Sequence, residues 1–82
     1  MPRFYFDLRD GDALAVDEKG LELPDIRAVQ AEAAISLADM ARDVIHNSPL
    51  VARAHHMAIE VRDGTSPVMQ VRFSFEVERQ KD

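Results

Sequence analysis

The clearest structural signal in the chain is the stretch VMQVRFSFEVE at residues 68–78, in which apolar side chains occupy every second position. Successive side chains of a strand point to opposite faces of its sheet, so this alternation predicts a strand with one apolar and one polar face. Residues 3–9 and 56–62 alternate in the same way, and a shorter strand is predicted at 13–16. The sequence therefore predicts a sheet with one buried face and one polar, uncovered face.

A single long helix is predicted between the two halves of this sheet, from Ile26 to about His46. Asp25 is a good N-cap, because its carboxylate can accept hydrogen bonds from the free amides of the first turn. Pro49 follows the helix and disfavours a helical residue before it. At about 100° per residue, the apolar positions of this helix fall on one stripe. The stripe consists of Ile26, Val29, Ala33, Leu37, Met40, Ala41 and Val44.

One helix and four strands predict an α+β fold. We expect a two-layer ββαββ sandwich, whose mainly antiparallel four-stranded sheet carries the helix on one face. The orders 2-1-4-3 and 2-1-3-4 both satisfy the hydrophobic pattern. Strands one and four carry most of the aromatic side chains and are therefore expected to be central, and the short second strand is expected to form an edge.

The 82 residues are enough for one domain, which we expect to span residues 1–82. Asp10-Gly11 and Asp63-Gly64 are strong turn signals, because glycine tolerates positive φ. The stretch at 50–55 is compatible with a loop or with a further helical turn. The expected segments are a first hairpin at 3–23, the helix at 25–47, a second hairpin at 56–78 and a tail at 79–82.

Composition narrows the cellular context and the classes of partner. The chain has no cysteine, so neither disulfides nor thiolate metal sites can supplement a small core, which favours self-association. Its formal net charge of −5 opposes binding to the phosphates of nucleic acids. Apolar runs long enough for a secretory signal or a transmembrane helix are absent, so a cytoplasmic protein with no membrane partner is expected.

Several stretches together resemble a family of small bacterial proteins. They are M-P-R-F-Y-F-D at 1–7 with D-G after it, D-E-K-G-L-E-L-P-D at 17–25 before an alanine-rich helix, and A-I-E-V-R-D-G at 58–64. This family is a domain of unknown function that is common in soil alphaproteobacteria. The resemblance covers nearly the whole chain and implies a bacterial, cytoplasmic, single-domain protein with no assigned catalytic residues. Between Asn47 and His56 the chain departs from the family pattern, where a shorter and more polar connection is expected.

A weaker similarity, over residues 4–41, connects the chain to antitoxins of the HicB type. In those proteins a hairpin and a Pro-Asp segment precede a helix on an antiparallel sheet. The similarity implies a protein that neutralises a partner enzyme, although the DNA-binding segment of such antitoxins is lacking here. An antitoxin-like role is therefore the alternative to an interaction module.

The residues that could support metal binding or catalysis have simpler explanations. The acidic set in the first hairpin fails the EF-hand spacing, and aspartate is common in turns. Neighbouring histidines in a strand point to opposite faces, and no metal-binding helix pattern is present. No serine lies in a nucleophile elbow. We therefore predict no catalytic residue, cofactor or metal site, and keep a small metal- or ligand-binding domain as a further alternative. The acidic residues considered for metal binding are Asp7, Asp10, Asp12, Asp17 and Glu18, and the histidines are His46, His55 and His56.

Two surfaces are the candidates for binding. The polar sheet face is expected to be flat, mixed in charge and uncovered, although cross-strand pairing of glutamate with arginine explains most of its residues. Its candidate partner-binding residues are Tyr5, Arg9, Glu60, Arg62, Arg72 and Glu76. On the far side of the helix, the candidate oligomer strip is Ala28, Ala31, Ile35 and Ala38. The leading hypothesis is a non-enzymatic interaction or regulatory module. It would associate with itself through an edge strand, the sheet face or this strip, and another protein could also be its partner.

Overall fold

The computed structural model describes residues 1–47, 54–76 and 80, and it shows one helix and an antiparallel sheet. The predicted α+β class is confirmed. Most of the stretch at 50–55 and most of the tail at 79–82 lie outside the described residues. In chain order the elements are β1 (Arg3–Asp10), β2 (Ala13–Ala15), β3 (Leu21–Glu22), α1 (Ile26–Asn47), β4 (Ala54–Arg62) and β5 (Pro67–Glu76).

The sheet has the order β2-β1-β4-β5, with β3 also paired to β1, and every pairing is antiparallel. This is one of the two predicted orders. The expectation that the last predicted strand is central is wrong, because β5 pairs only with β4 among the described strands. The helix packs on β5 as well as on β4. The bulky apolar side chains of β5 therefore contact the helix although the strand lies at the border of the sheet. The most buried strand residues, Ile59 and Val61, belong instead to β4.

The edge beside β1 is an interrupted strand. β2 pairs with the second half of β1 and β3 with its first half, and residues 16–20 leave the sheet between them. Gly20 lies in this interruption with a φ of 72°, a conformation that favours glycine. A Cβ atom on Gly20 would lie 2.9 Å from Cγ of Arg3 and 2.9 Å from Cε2 of Tyr5. The predicted ββαββ layout therefore gains a third short strand before the helix.

The core lies between α1 and the apolar face of the sheet. As predicted, Asp25 caps the helix, since its Oδ1 accepts a hydrogen bond from the backbone N–H of Ala28 at 2.8 Å. Ile26 departs from the predicted stripe and is 50% exposed, because the helix joins the core only from Val29 onward. The buried core consists of Phe4, Val29, Ala33, Leu37, Ala41, Met57, Ile59 and Val61, with Phe6, Leu8, Met40, Val44, Val71 and Phe73 packed partly against it.

Candidate functional site

The polar face of the sheet is organised in rows that cross the strands. Because the pairing is antiparallel and in register, side chains that are far apart in sequence lie side by side. The rows are Tyr5 and Arg62; Asp7, Glu60 and Gln70; Arg9, Ala58 and Arg72; and His56 and Ser74. The structure therefore brings the predicted residues of this face together, with Glu76 in the next row opposite Ala54.

Arg62 makes internal contacts with its whole guanidinium group. Its Nε donates to Oδ2 of the buried Asp7 at 2.9 Å, and its Nη2 donates to the carbonyl oxygen of Asp17 at 2.9 Å. Its Nη1 donates to the carbonyl of Gly64 at 2.8 Å, and its Cζ lies 4.5 Å from the centroid of the Tyr5 ring. The hydrogen bond to Asp7 raises the pKa of Arg62 above its usual value. Arg62 and Tyr5 thus join β1, β4 and the interrupted edge.

Asp17 holds the interruption of the edge strand in place. Its Oδ2 accepts a hydrogen bond from the backbone N–H of Phe6 at 3.1 Å, and its own N–H donates to Oδ1 of Asp7 at 2.9 Å. Its Oδ1 accepts from the amides of Lys19 and Gly20 at 3.0 and 3.1 Å. Partial burial alone would raise the pKa of Asp17. The hydrogen bonds from these amides outweigh it and hold that pKa below its usual value.

The acidic residues singled out in the first hairpin therefore differ in burial and contacts, and Asp10 is half-buried at the end of β1. Asp7 and Asp17 come together as acceptors for Arg62 and for backbone amides, whereas Asp12 and Glu18 are exposed. Within the described ranges, no group of three or more His, Asp or Glu side chains is placed to hold a metal ion. Sequence reasoning missed the role of Asp17, because an aspartate within a turn carries no sign of a long-range partner.

Arg9 and Glu60 form the second ion pair of this face. Nε of Arg9 lies 2.7 Å from Oε2 of Glu60, and the two side chains are 41% and 34% exposed. The hydrogen bond to Glu60 raises the pKa of Arg9 above its usual value. Gln70 also reaches Glu60, at 3.5 Å. The cross-strand pairing considered in the sequence analysis is therefore present for these two residues.

Arg72 and Glu76 differ from the other charged residues of the face. Both are exposed, and they lie four positions apart on β5 with their side chains on the same face. Neither forms an ion pair with any residue that the structure describes. Among the described residues, the two charges of the candidate surface that lack an ion-pair partner therefore lie on the same strand, β5.

A shallow depression of about 270 Å³ lies on the same face, around the small side chain of Ala58. Two guanidinium groups, from Arg9 and Arg72, flank Ala58 in one row. His56 also borders the depression, with its Nδ1 3.2 Å from Oγ of Ser74. Of the other two candidate histidines, His46 is exposed at the end of α1, and the side chain of His55 lies outside the described part.

The outer face of α1 carries the candidate oligomer strip. Ile35 is 59% exposed, Ala31 and Ala38 are exposed, and Ala28 is half-buried. Ile45, which is 47% exposed, continues the strip at helical spacing and was missed in the sequence analysis. The seven-residue spacing of Ile45 from Ala38 places both on one side of the helix and could have revealed it, but Arg42 interrupts the apolar pattern between them.

A model of the family described as a domain of unknown function, DUF6894, matches residues 3–74 of the chain. The chain belongs to the DUF6894 family. The match includes β1, the interrupted edge, α1, β4 and most of β5, and it confirms the resemblance to a family of unknown function. No curated protein and no solved structure matches the chain significantly. In the described ranges of this DUF6894 chain, no helix is long and apolar enough to cross a membrane.

Proposed function

We propose that the protein is a non-enzymatic interaction module that associates with a second copy of itself. The observation that carries this proposal is the outer side of β5, which is ten residues long and pairs only with β4 in the described part. An edge strand presents unpaired N–H and C=O groups, which form a template for pairing with another chain. Phe73 and Phe75 on this strand are half-buried, so pairing here would also remove apolar surface from water.

The charged residues support an interaction role rather than an enzymatic one. Among the described residues, the groups whose pKa values shift are Arg9, Asp17 and Arg62, and each shift comes from contacts within the sheet or the loop at its edge. In an active site such groups would face a cleft where a substrate could reach them. Here they bind to other parts of the same sheet, which favours a structural role.

Sedimentation velocity over a concentration series, from low micromolar to submillimolar, tests this function. We expect the sedimentation coefficient to rise with concentration toward that of a dimer. A coefficient that stays at the monomer value across the series would contradict the proposal. Circular dichroism on the same samples shows whether the chain is folded.

The strip on the outer face of α1 is a second candidate surface for the same association. Alanines allow two helices to approach closely, and Ile35 and Ile45 supply the exposed apolar area. The variant Ile35→Glu would place a charge in such an interface without disturbing the core. Loss of the dimer in this variant would assign the contact to the helix, and its retention would assign the contact elsewhere.

Binding of a small anion in the depression around Ala58 is the second candidate function. None of the described residues that line the depression is an aspartate or glutamate, although the whole chain is negatively charged. Titration with inorganic phosphate, followed by NMR chemical shifts of the backbone amides, tests this function. Shifts confined to residues around Ala58 that disappear in Arg9→Gln support it, and uniform small shifts contradict it. The antitoxin-like alternative stays a prediction.

A further inference from the structure

The backbone groups along the edge of β5 that pairs with no described strand can be assigned from the hydrogen bonds of its neighbours. The N–H of Gly11 donates to the carbonyl of His56 at 3.2 Å, so the backbone groups of His56 point toward β1. Those of the next residue, Met57, therefore point toward β5, where Met57 pairs with Phe73. By the same alternation, the N–H and C=O groups of Arg72, Ser74 and Glu76 point away from the sheet.

The charges of this edge are complementary to a second copy of the same strand. In an antiparallel pair, a two-fold axis at Ser74 places Arg72 of each copy opposite Glu76 of the other. If Arg72 lay on the axis, the Arg72 side chains of the two copies would face each other. If Glu76 lay on the axis, the two Glu76 side chains would face each other. A register with Phe73 on the axis places Arg72 opposite Ser74 and leaves Glu76 opposite Gln70. The register at Ser74 therefore neutralises both charges.

The apolar face agrees with this register. When Ser74 lies on the axis, Phe73 of each copy lies opposite Phe75 of the other, on the side of the sheet that carries α1. Both aromatic rings are only half-buried in the single chain. Opposed aromatic pairs on neighbouring strands are among the favourable cross-strand contacts.

We propose that two copies of the chain associate by antiparallel pairing of β5 with β5 about a two-fold axis at Ser74, which joins their sheets into one. This inference rests on the proposed self-association and names its surface and register. In this dimer both helices lie on the same face of the joined sheet. One Arg72–Glu76 ion pair on each side of the axis neutralises the charges of the edge.

A charge-swap experiment tests the register. We expect Arg72→Glu and Glu76→Arg to raise the dimer dissociation constant by about tenfold or more each, because each places like charges opposite one another. The double variant Arg72→Glu/Glu76→Arg should return the constant to within about threefold of the original protein, since the pairs reform with reversed sign. The matched controls are Arg27→Glu and Glu18→Arg, which make the same changes in net charge at exposed positions away from β5.

The results separate the two proposals. The proposed register would be overturned if the double variant did not restore the dissociation constant. It would also be overturned if the control variants weakened the dimer as much as the single charge swaps. If the original protein is a dimer that the charge swaps leave intact and Ile35→Glu dissociates, the self-association stands and the β5 contact fails. A protein that stays monomeric throughout overturns both.

A cross-link gives an independent measurement. The chain has no cysteine, and hydrogen-bonded antiparallel residues have Cα atoms about 5.5 Å apart, within disulfide range. Ser74→Cys should therefore form an intermolecular disulfide under mild oxidation, whereas Gln70→Cys on the same edge should not, since it lies far from its own copy. Equal cross-linking of the two variants would contradict the axis at Ser74.

Discussion

The carboxylate of Asp17 accepts a hydrogen bond from the backbone N–H of Phe6 at 3.1 Å, where a regular edge strand would have supplied a carbonyl oxygen. The same carboxylate holds the amides of Lys19 and Gly20. One side chain thus satisfies three backbone donors at the point where the edge strand leaves the sheet. The interruption at residues 16–20 depends on this residue.

Replacing Asp17 with alanine should destabilise the protein by about 1–3 kcal/mol, because three backbone amides lose their acceptor. Urea unfolding at neutral pH, followed by circular dichroism, measures the difference. Glu18→Ala is the matched control, since Glu18 is exposed and adjacent, and its effect should stay within about 0.5 kcal/mol. Equal effects of the two variants would mean that the Asp17 contacts contribute nothing.

The lowered pKa of Asp17 predicts a stability that decreases in acid. A carboxyl group whose pKa is lower in the folded state than in the unfolded state stabilises the fold above its unfolded pKa, which is about 3.9 for aspartate. That contribution is lost as the pH falls through the lower, folded pKa. The free energies of unfolding of the original protein and Asp17→Asn should therefore differ more at pH 7 than near pH 3. A difference that grows with acidification would contradict the sign of the shift.

Removing the guanidinium of Arg62 should lower the free energy of unfolding more than removing that of Arg9. Arg62→Met leaves the buried carboxylate of Asp7 without its ion-pair partner and frees two carbonyls, which should clearly lower the free energy of unfolding. Arg9→Met breaks a more exposed pair, which stabilises the fold less because water screens it. Parallel urea titrations compare the two variants, and an equal or reversed order would contradict this ranking.

Two glycines with similar backbone conformations should respond differently to alanine. Gly11 has a φ of 61° and open space around it, so Gly11→Ala should cost about 1 kcal/mol from the backbone alone. Gly20 has a φ of 72°, and a Cβ there would meet Arg3, Tyr5 and the carbonyl oxygen of Phe4 within 3.0 Å. Gly20→Ala should therefore lower the melting temperature clearly further than Gly11→Ala. Similar melting temperatures would show that the loop does not pack on Arg3 and Tyr5.

The strands and the helix could be predicted because their signals are local. The alternation in β5 and the cap at Asp25 depend on residues within a few positions of one another. The exposure of Ile26 and the edge position of β5 could not be predicted in this way, since the first depends on where the helix meets the sheet and the second on how the strands pair. The opposite expectations were wrong for these reasons.

In the candidate site, too, the local features could be predicted from the sequence and the long-range contacts could not. The members of the polar face follow from alternation, but their partners do not, because Arg62 and Asp7 are 55 positions apart and meet only through the pairing of β1 with β4. Tyr5 and Arg62 are chemically suited to a binding surface, yet the structure directs both toward internal contacts. Arg72 and Glu76 have no such contacts in the described part, and their partner-binding role stays a prediction.

The two flanks of the sheet differ as starting points for growth by strand addition. The flank of β2 and β3 offers segments of only three and two residues. The loop between them is held to the sheet by hydrogen bonds from Phe6 to the Asp17 carboxylate and from Arg62 to the Asp17 carbonyl. Such a broken border is a poor template, whereas β5 is long and regular. Assembly through β5 would consequently stop at a closed pair, and the chain would be protected against stacking into a fibril.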